Sequence, residues 1–364
     1  MEGEHSEGDV VRVVDSHGNF LAKGHWQIGS IAVRILSFED IPIDETFWQQ
    51  RLARSLELRR NLQLVDNSRN NICRLVHGEG DGLPGLVIDL YGDVAVMQAH
   101  SVGMHRNRMQ IAEALRETMG SALKAIYYKS EGTLPFKAAL EPENGFLYGQ
   151  SESDVACENG LLFHIDWLKG QKTGFFVDQR DNRALLEKYS NHRRVLNMFC
   201  YTGGFSVYAL RGGAQIVDSV DSSAKAIELV EKNVQLNFPD ETRHRGYAED
   251  AFRYLDQMEQ VYDLIILDPP AFAKHKDSLK NALRGYTKLN AKAFEKIQPG
   301  GILFTFSCSQ AVSKEQFRLA VFTAAAISQR RVSILHQLHQ PADHPVNIYH
   351  PEGEYLKGLV LYVE

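Results

Sequence analysis

The hydrophobic pattern of the second half of the chain alternates between short apolar runs and amphipathic segments. Between the runs, apolar residues recur at helical spacing, as in 224–234 and 314–325. This alternation predicts an α/β fold with a mostly parallel, doubly wound sheet. No helical pattern separates the last two runs, so we expect them to form an antiparallel terminal hairpin. The apolar runs predict strands at 195–199, 214–220, 243–247, 262–267, 301–307, 331–337 and 358–363.

The first half of the chain has a weaker pattern. Short runs within 9–37 predict strands around a turn, and 45–63 follows a helical period with arginines beside its apolar face. Those arginines form either the solvated side of a linker helix or a phosphate-contacting surface. Residues 72–165 combine strand signals, a hairpin at 91–93 and one helix, which predicts a small α+β domain. We therefore place domains at 1–70 (β domain and linker helix), 71–168 (central α+β domain) and 169–364 (α/β domain).

The composition is typical of a globular protein. Of the 364 residues, 44% are hydrophobic and 24% are charged. No apolar run approaches the ~18 residues that a membrane span needs, and no charged-then-apolar leader is present. We therefore predict a cytoplasmic protein without a membrane partner. The net charge of −6 argues against a strongly basic, non-specific nucleic-acid binder, although it allows a local basic patch.

The cysteines are scattered along the chain. No C-x-x-C pair and no H-E-x-x-H motif occurs, so neither a zinc site nor a disulfide framework is predicted. Cys73, Cys157 and Cys200 are interpreted as small buried hydrophobes. Cys308 differs because it lies between two serines at the end of a predicted strand. It is a candidate nucleophile, provided that its surroundings favour the thiolate.

A strand, a glycine turn and a helix follow one another at 195–209, with the turn at Thr202, Gly203 and Gly204. Ligands of open α/β sheets bind beyond the carboxyl ends of the strands, where helix N–H groups point outward. This turn therefore predicts a nucleotide-sized site, although many such turns bind nothing. Asp221 lies ~17 residues further on, at an offset suited to accept from ribose hydroxyls. A helix cap is its alternative role, and Asp218 is the competing acid.

Polar residues also follow the next strands. Asp250 is suited either to accept from an adenine amino group or to cap a helix. Asp268 precedes two prolines and Phe272, so the acid is available to a ligand and the aromatic ring offers a stacking face; a plain rigid turn is the alternative. A basic stretch comes next and favours phosphate contact over a merely solvated helix face; it contains Lys274, Lys276, Lys280, Arg284 and Lys288.

Together these motifs resemble a bacterial family of S-adenosylmethionine-dependent 23S rRNA cytosine-5 methyltransferases. The resemblance covers nearly the whole chain, including GEGDGLPG at 78–85. Its other motifs are KTGFFVDQR at 172–180, NMFCYTGGF at 197–205, DPPAF at 268–272, TFSCS at 305–309, DHPV at 343–346 and PEGEYLKG at 351–358.

The resemblance implies an N-terminal PUA RNA-binding domain, a central α/β domain and a C-terminal class I, Rossmann-like methyltransferase domain. The family's usual segment before residue 8 is missing, so we expect the PUA-like domain to be incomplete. Residues 133–142 depart from the more basic loop of relatives, which leaves the exact substrate less defined than the chemistry. The implied cofactor is S-adenosylmethionine and the implied partner is 23S ribosomal RNA; a homodimer is one option for the oligomeric state.

The resemblance also implies roles for individual residues, and from the missing ligand spacings no metal is expected. The Cys308 thiolate would add to C6 of a cytosine, and Asp268 would bind the N3/N4 edge of the base, with the proton-abstracting base unassigned. The alternatives are an N-methyltransferase acting on an rRNA base and a non-catalytic RNA-binding protein. The expected substrate-binding residues are Pro270, Phe272, Lys274, Lys276 and Arg284. The expected cofactor-binding residues are Lys172, Phe176, Asp178, Gln179, Arg180, Asn197, Phe199, Tyr201, Thr202, Gly203, Gly204, Asp221, Asp250, Ala251, Asp268 and Pro269.

Overall fold

The computed structural model describes residues 4–29, 31–135, 138, 140–273 and 276–364, without the side chain of Lys276. The chain forms two compact units. The first unit comprises Met1–Gly160, Ile165–Val177 and Ala342–Gly353. The second unit comprises Leu161–His164, Asp178–Pro341 and Glu354–Glu364. Within the described ranges, none of the helices combines the length and apolar character that crossing a membrane requires.

In the first unit, an antiparallel three-stranded sheet precedes a helix and a second sheet. The three strands are β1 (Val10–Val14), β2 (Phe20–Trp26) and β3 (Val33–Ser37), and the helix is α1 (Glu45–Asn61). The second sheet has the order β4-β5-β6-β7-β8 and is antiparallel except for the β6–β7 pair. The remaining elements are β4 (Ile72–His77), β5 (Leu86–Tyr91), β6 (Val94–Ala99), α2 (Val102–Arg106), α3 (Arg108–Met119), β7 (Ala125–Tyr128), β8 (Gly145–Gly149) and β9 (Val155–Glu158).

Helix α1 confirms the predicted helix in this region. Asp44 caps its start by accepting from the Phe47 N–H at 3.1 Å, and Trp48 with the two leucines that follow it at helical spacing is buried in the core. The phosphate-contacting alternative is wrong for Arg59. Its guanidinium is fully buried, pairs with Asp81 and donates to the Arg74 carbonyl at 2.7 Å, so no face of it reaches solvent.

In the second unit, the described residues form a seven-stranded sheet of order β13-β12-β11-β14-β15-β17-β16. Neighbours from β13 through β15 are parallel, whereas β17 pairs antiparallel with both β15 and β16. The predicted antiparallel end of the sheet is therefore confirmed. The strands are β10 (Leu161–His164, apart from this sheet), β11 (Arg194–Met198), β12 (Ile216–Asp221), β13 (His244–Ala248), β14 (Leu264–Leu267), β15 (Gly301–Ser307), β16 (Val332–Leu338) and β17 (Lys357–Val363).

Helices separate the parallel strands, and apolar side chains of the sheet and helices share one core. The chain order runs outward on one side from β11 to β13 and then crosses over to β14. The crevice for a ligand in such a sheet lies at this switch in strand order, beyond the carboxyl ends of β11 and β14. The helices are α4 (Arg180–Tyr189), α5 (Gly204–Arg211), α6 (Ala224–Asn237), α7 (Ala251–Gln257), α8 (Leu279–Lys296) and α9 (Lys314–Ile327).

Candidate active site

The turn after β11 has an unusual backbone. Phe199, Tyr201 and Gly203 have φ angles of 59°, 46° and 74°, in the left-handed region. A Cβ on Gly203 would come within 2.6 Å of a Val230 methyl group, so only glycine fits where the turn meets α6. Gly203 caps α5 without a side-chain hydrogen bond. The N–H groups at the start of α5 therefore receive no capping side chain from within the turn.

Asp221 ends β12 and is bonded to this turn. Its carboxylate accepts from the Tyr201 N–H and from the Ser223 N–H, both at 3.0 Å. The competing Asp218 is fully buried and accepts from the Tyr262 hydroxyl at 2.5 Å, while burial raises the pKa of the Asp218 carboxyl. Of the two acids, only Asp221 lies at the carboxyl edge of the sheet. A carboxylate accepts about four hydrogen bonds, so a ribose contact by Asp221 stays a prediction that this geometry allows.

Asn197 belongs to a buried polar chain that crosses the sheet. Its amide donates to Ser206 at 2.8 Å, Ser206 bonds Ser219 at 2.7 Å, and Ser219 bonds His244 at 2.8 Å. Burial lowers the pKa of His244 to about 4. The Asn197 side chain, 1% exposed, therefore tethers α5 to the sheet, and a direct cofactor contact by this residue stays a prediction.

Asp250 caps α7. Its carboxylate accepts from the Arg253 N–H at 3.0 Å, which is the capping role that the sequence left as an alternative. The side chain is exposed, and the following Ala251 is buried as the first residue of the helix. Contacts of these two residues with a cofactor remain predictions.

The start of α4 is joined to the loop after β14. The Gln179 amide donates to Asp268 at 3.0 Å, and the Asn182 amide donates to Gln179 at 2.6 Å. Beside them, Tyr355 donates to Asp178 at 2.6 Å. Gln179 and Asn182 are both buried, so this chain of amides fixes the orientation of the half-buried Asp268 carboxylate.

Phe272 and Pro270 lie in the same loop. The Phe272 ring packs on the Tyr286 ring with centroids 4.7 Å apart, so one of its faces is engaged within the protein. Pro269 is buried and Pro270 is exposed, which turns the second proline toward solvent. Stacking of Phe272 on a substrate base stays a prediction for its remaining exposed surface.

Cys308 follows β15 directly and faces the Asp268 loop, with its Sγ 4.0 Å from the Pro269 carbonyl oxygen. The two serines that flank it are buried and bonded to one hydroxyl, because Tyr286 lies 2.9 Å from both Ser307 Oγ and Ser309 Oγ. Ser309 also accepts from the Ala273 N–H at 3.3 Å. The flanking serines therefore hold the strand end against the loop and α8, and the half-buried thiol lies between them.

The other cysteines have different surroundings. Cys73 and Cys200 are buried, and burial raises the pKa of the Cys200 thiol. Cys157 is half-buried in the first unit and donates to the Arg69 carbonyl at 3.3 Å. Cys200 and Cys308 both follow strands of the large sheet at its carboxyl edge, and of the two Cys308 is the half-buried one, beside the Asp268 loop.

Other predicted residues belong to the first unit, to α8 or to positions outside the described ranges. Lys172 and Phe176 belong to the first unit, where the Lys172 ammonium lies 4.5 Å from the Phe176 ring centroid. Lys274 is outside the described residues, as is the side chain of Lys276. Arg284 is exposed on α8. Among the described residues, no cluster of three or more histidine, cysteine or acidic side chains could hold a metal ion.

Four residues near the C-terminus also belong to this region, and the sequence assigned them no individual role. Gln340 accepts from the Tyr355 and Leu356 N–H groups at 3.2 and 3.3 Å, and the Lys357 ammonium donates to carbonyls just after Cys308. The motif at 351–358 was the available signal, but no spacing rule connects it to residue 308.

Comparisons with known proteins place the chain in a family. Residues 74–350 match the model of an S-adenosylmethionine-dependent methyltransferase, and residues 1–38 match that of a PUA-like domain. Ribosomal RNA large subunit methyltransferase I of Tolumonas auensis is 41% identical over 369 residues, covering 99% of this chain and 92% of that protein. The protein of the same name from Alteromonas mediterranea is 40% identical, covering 100% of this chain and 92% of the relative.

A solved structure agrees with the sequence relatives. The crystal structure of SMU.776, a methyltransferase complexed with SAH, has a TM-score of 0.86 and 25% identity, covering 99% of this chain and 93% of that chain. The fold is therefore α/β, with a class I methyltransferase sheet and an N-terminal PUA-like β domain. The chain belongs to the S-adenosylmethionine-dependent methyltransferases, uses S-adenosylmethionine as its cofactor, and is a member of the ribosomal RNA large subunit methyltransferase I family.

Proposed function

We propose that the protein methylates C5 of a cytosine in 23S ribosomal RNA through a covalent bond between Cys308 and C6 of the base. The names of the relatives support ribosomal RNA of the large subunit as the substrate. The observation that carries the cytosine-5 chemistry is the pairing of Cys308 with the Asp268 loop. A thiol and an oriented carboxylate lie at the ends of the neighbouring parallel strands β14 and β15.

The cofactor fits the residues at the switch in strand order. The turn from Phe199 to Gly203 leaves the N–H groups at the start of α5 without a capping side chain, which suits the polar methionine end. Asp221 would accept from the ribose, and Asp250 and Ala251 would lie at the adenine. The turn lacks a full G-x-G-x-x-G, in keeping with a ligand that has no pyrophosphate. When bound, S-adenosylmethionine supplies an electrophilic methyl group.

The role of Cys308 follows from the poor nucleophilicity of cytosine C5. Addition of the Cys308 thiolate to C6 forms an S–C6 bond and moves the C5–C6 π electrons to C5. The carbanion-like C5 would then take up the methyl group that bound S-adenosylmethionine supplies, and the electron pair of the broken S–CH3 bond would remain on the cofactor's sulfur. Loss of the C5 proton to a base restores the double bond, and the S–C6 bond breaks with its electron pair returning to sulfur.

Asp268 would act on the other edge of the base. Its carboxyl group would bind the N3/N4 edge: it would accept from the exocyclic amino group at C4 and, when it carries a proton, donate to N3, where negative charge develops during thiolate addition. Gln179 donates to Asp268 and keeps it in one orientation. The base has to leave its stack to reach these groups, because the thiolate approaches C6 from the face of the ring, which neighbouring bases cover in a stack.

Trapping the covalent intermediate tests the proposal. In RNA containing 5-fluorocytosine, C5 carries fluorine in place of the proton, so the S–C6 bond persists after methyl transfer. We expect a stable protein–RNA adduct that maps to Cys308 by peptide mass spectrometry. Cys308→Ala should form no adduct and lose methylation, whereas Cys157→Ala, a matched control at a half-buried thiol of the first unit, should behave as wild type. Methylation retained by Cys308→Ala refutes the proposed chemistry.

Methylation of an exocyclic nitrogen is the second candidate, since an acid followed by two prolines and an aromatic residue serves that reaction without a thiol. Chromatography of digested product RNA separates the two possibilities, because 5-methylcytidine and an N-methylated nucleoside elute differently. An N-methylated product that persists in Cys308→Ala would favour the second candidate. A chain that binds no S-adenosylmethionine in calorimetry would point to a non-catalytic RNA-binding protein.

A further inference from the structure

We propose that Lys357 is a positioning residue for Cys308: its buried ammonium holds the strand end that carries the cysteine and favours the thiolate over the thiol. The inference rests on the proposed nucleophilic role of Cys308 and adds a residue to that site. Lys357 lies in the motif at 351–358, to which neither composition nor spacing assigned a role.

The sheet register brings Lys357 to Cys308. Lys357 is the first residue of β17 and pairs with Ser307, the last residue of β15, in antiparallel register. Its ammonium donates to the Ser309 carbonyl at 2.6 Å and to the Val312 carbonyl at 2.7 Å. Backbone on both sides of Cys308 is therefore tied to one lysine, and this fixes where the chain leaves the sheet.

The Lys357 ammonium carries its charge in a buried position. Lys357 is 7% exposed, and among the described residues it forms no ion pair with an acidic side chain. The Lys314–Glu354 pair nearby is partly solvent-exposed, with side chains 53% and 38% exposed. A buried charge is costly unless an opposite charge compensates it. Two backbone carbonyls explain why a hydrogen-bond donor is kept there, but not why the donor is a cation.

The Cys308 thiolate is the main compensating charge, ahead of the Glu354 carboxylate, which pairs with Lys314. Among the described residues, the titratable groups whose charges act on the Lys357 ammonium are Cys308, Glu354 and Lys314. Burial lowers the pKa of Lys357 to about 8, the Cys308 and Glu354 anions oppose that change, and Lys314 adds to it. An attraction between two titrating groups acts on both, so the ammonium that gains from the thiolate stabilises the thiolate equally.

The reaction uses the thiolate at two points, once when sulfur adds to C6 and again when it leaves with the electron pair of the S–C6 bond. A neighbouring cation lowers the energy of sulfur in both states and need not itself transfer a proton. Lys357 therefore acts through Cys308, without contact to the reacting carbon atoms. Loss of the charge is expected to raise the pH at which the thiol becomes reactive.

The test is the pH dependence of Cys308 alkylation by iodoacetamide, followed on the Cys308 peptide by mass spectrometry in the full chain. Lys357→Met removes the charge and keeps the length, and Lys357→Arg keeps the charge. We expect the pH midpoint of Cys308 alkylation to be about one unit higher than wild type in Lys357→Met. In Lys357→Arg it should lie within ~0.3 unit of the wild-type midpoint. Lys314→Met, a matched control that removes an exposed cation nearby, should shift it by less than ~0.3 unit.

A reciprocal measurement leaves Lys357 in place and guards against a misfolded variant. In Cys308→Ser, the lysine loses its anionic neighbour, so NMR of labelled lysine should show a Lys357 pKa lower by a similar amount. An unchanged alkylation midpoint in a Lys357→Met protein that still binds S-adenosylmethionine overturns the inference. An unchanged Lys357 pKa in Cys308→Ser overturns it as well.

Neither measurement needs RNA or turnover, so this inference and the proposed function fail separately. A shifted midpoint together with methylation retained by Cys308→Ala supports the Lys357–Cys308 pair and overturns the nucleophilic role. A 5-fluorocytosine adduct at Cys308 with an unshifted midpoint supports the nucleophile and overturns the role of Lys357.

Discussion

The hydroxyl of Tyr286 is the point where α8 holds the strand end that carries Cys308. Tyr286 is fully buried, and its hydroxyl bonds both Ser307 and Ser309 at 2.9 Å. Tyr286→Phe removes only this oxygen. The substitution keeps the aromatic ring, so its packing on the Phe272 ring, with centroids 4.7 Å apart, should be retained. Two buried hydrogen bonds at about 1 kcal/mol each predict a loss of about 2 kcal/mol of stability in the second unit.

The assay pairs stability with activity. A unit of this size should melt ~4–8 °C lower for about 2 kcal/mol. S-adenosylmethionine affinity should be unchanged, while kcat for rRNA methylation should fall about tenfold, since small misplacements of a nucleophile are costly. Tyr362→Phe, a partly exposed tyrosine on β17, is the matched control and should lose less than ~0.5 kcal/mol. Full activity and unaltered melting of Tyr286→Phe would refute the argument that the serine–tyrosine bonds position Cys308.

Three further changes test other parts of the structure. Arg59→Met should destabilise the first unit by about 3–5 kcal/mol in urea unfolding, because it leaves Asp81 buried and unpaired, and a loss below ~1 kcal/mol would contradict this. Gly203→Ala should weaken S-adenosylmethionine binding about tenfold in calorimetry, because its φ of 74° is strained for alanine and the added Cβ would lie 2.6 Å from a valine methyl group. Gly18→Ala is the control: its φ is 84°, but its Cβ would meet no atom within 4 Å, so binding should be unchanged. Burial lowers the pKa of His244 to about 4 in the folded state, against 6.5 in the unfolded chain. The free energy of unfolding should therefore fall as the pH drops from about 6.5 to about 4, by up to about 3 kcal/mol, and should be independent of this histidine above pH 6.5. The stability profile of His244→Gln should be flatter over that interval, and an identical slope would contradict the assignment.

The parallel sheet was predictable because its strands are apolar runs bounded by helical periods. The observed strands agree with the predicted ranges to within about two residues, and the order of polar residues along the chain places Asp221, Asp268 and Cys308 at strand ends. The carboxyl ends of parallel strands all lie at the same edge of the sheet, so residues that directly follow such strands are close together. This part of the candidate site could therefore be predicted from the local sequence pattern alone.

Other parts of the structure depend on contacts that no local pattern contains. Arg59 is a cationic residue of an amphipathic helix, like its exposed neighbours, yet it is buried in an ion pair with Asp81. Asp218 occupies a promising position on β12 but accepts from Tyr262 inside the protein. In each case a partner that is distant in sequence decides whether the side chain faces a ligand or the core.

The direction of β17 connects these observations. In a parallel strand, the residue at the ligand edge of the sheet is the last one; in an antiparallel strand it is the first. Because β17 runs against β15, Lys357 at its start reaches the carboxyl end of β15 beside Cys308, and the preceding Tyr355 reaches Asp178 at 2.6 Å. The sequence predicted the antiparallel hairpin but not this consequence. The reversed strand therefore delivers the C-terminal motif to the site, and a parallel strand in its place would carry Lys357 to the opposite edge of the sheet.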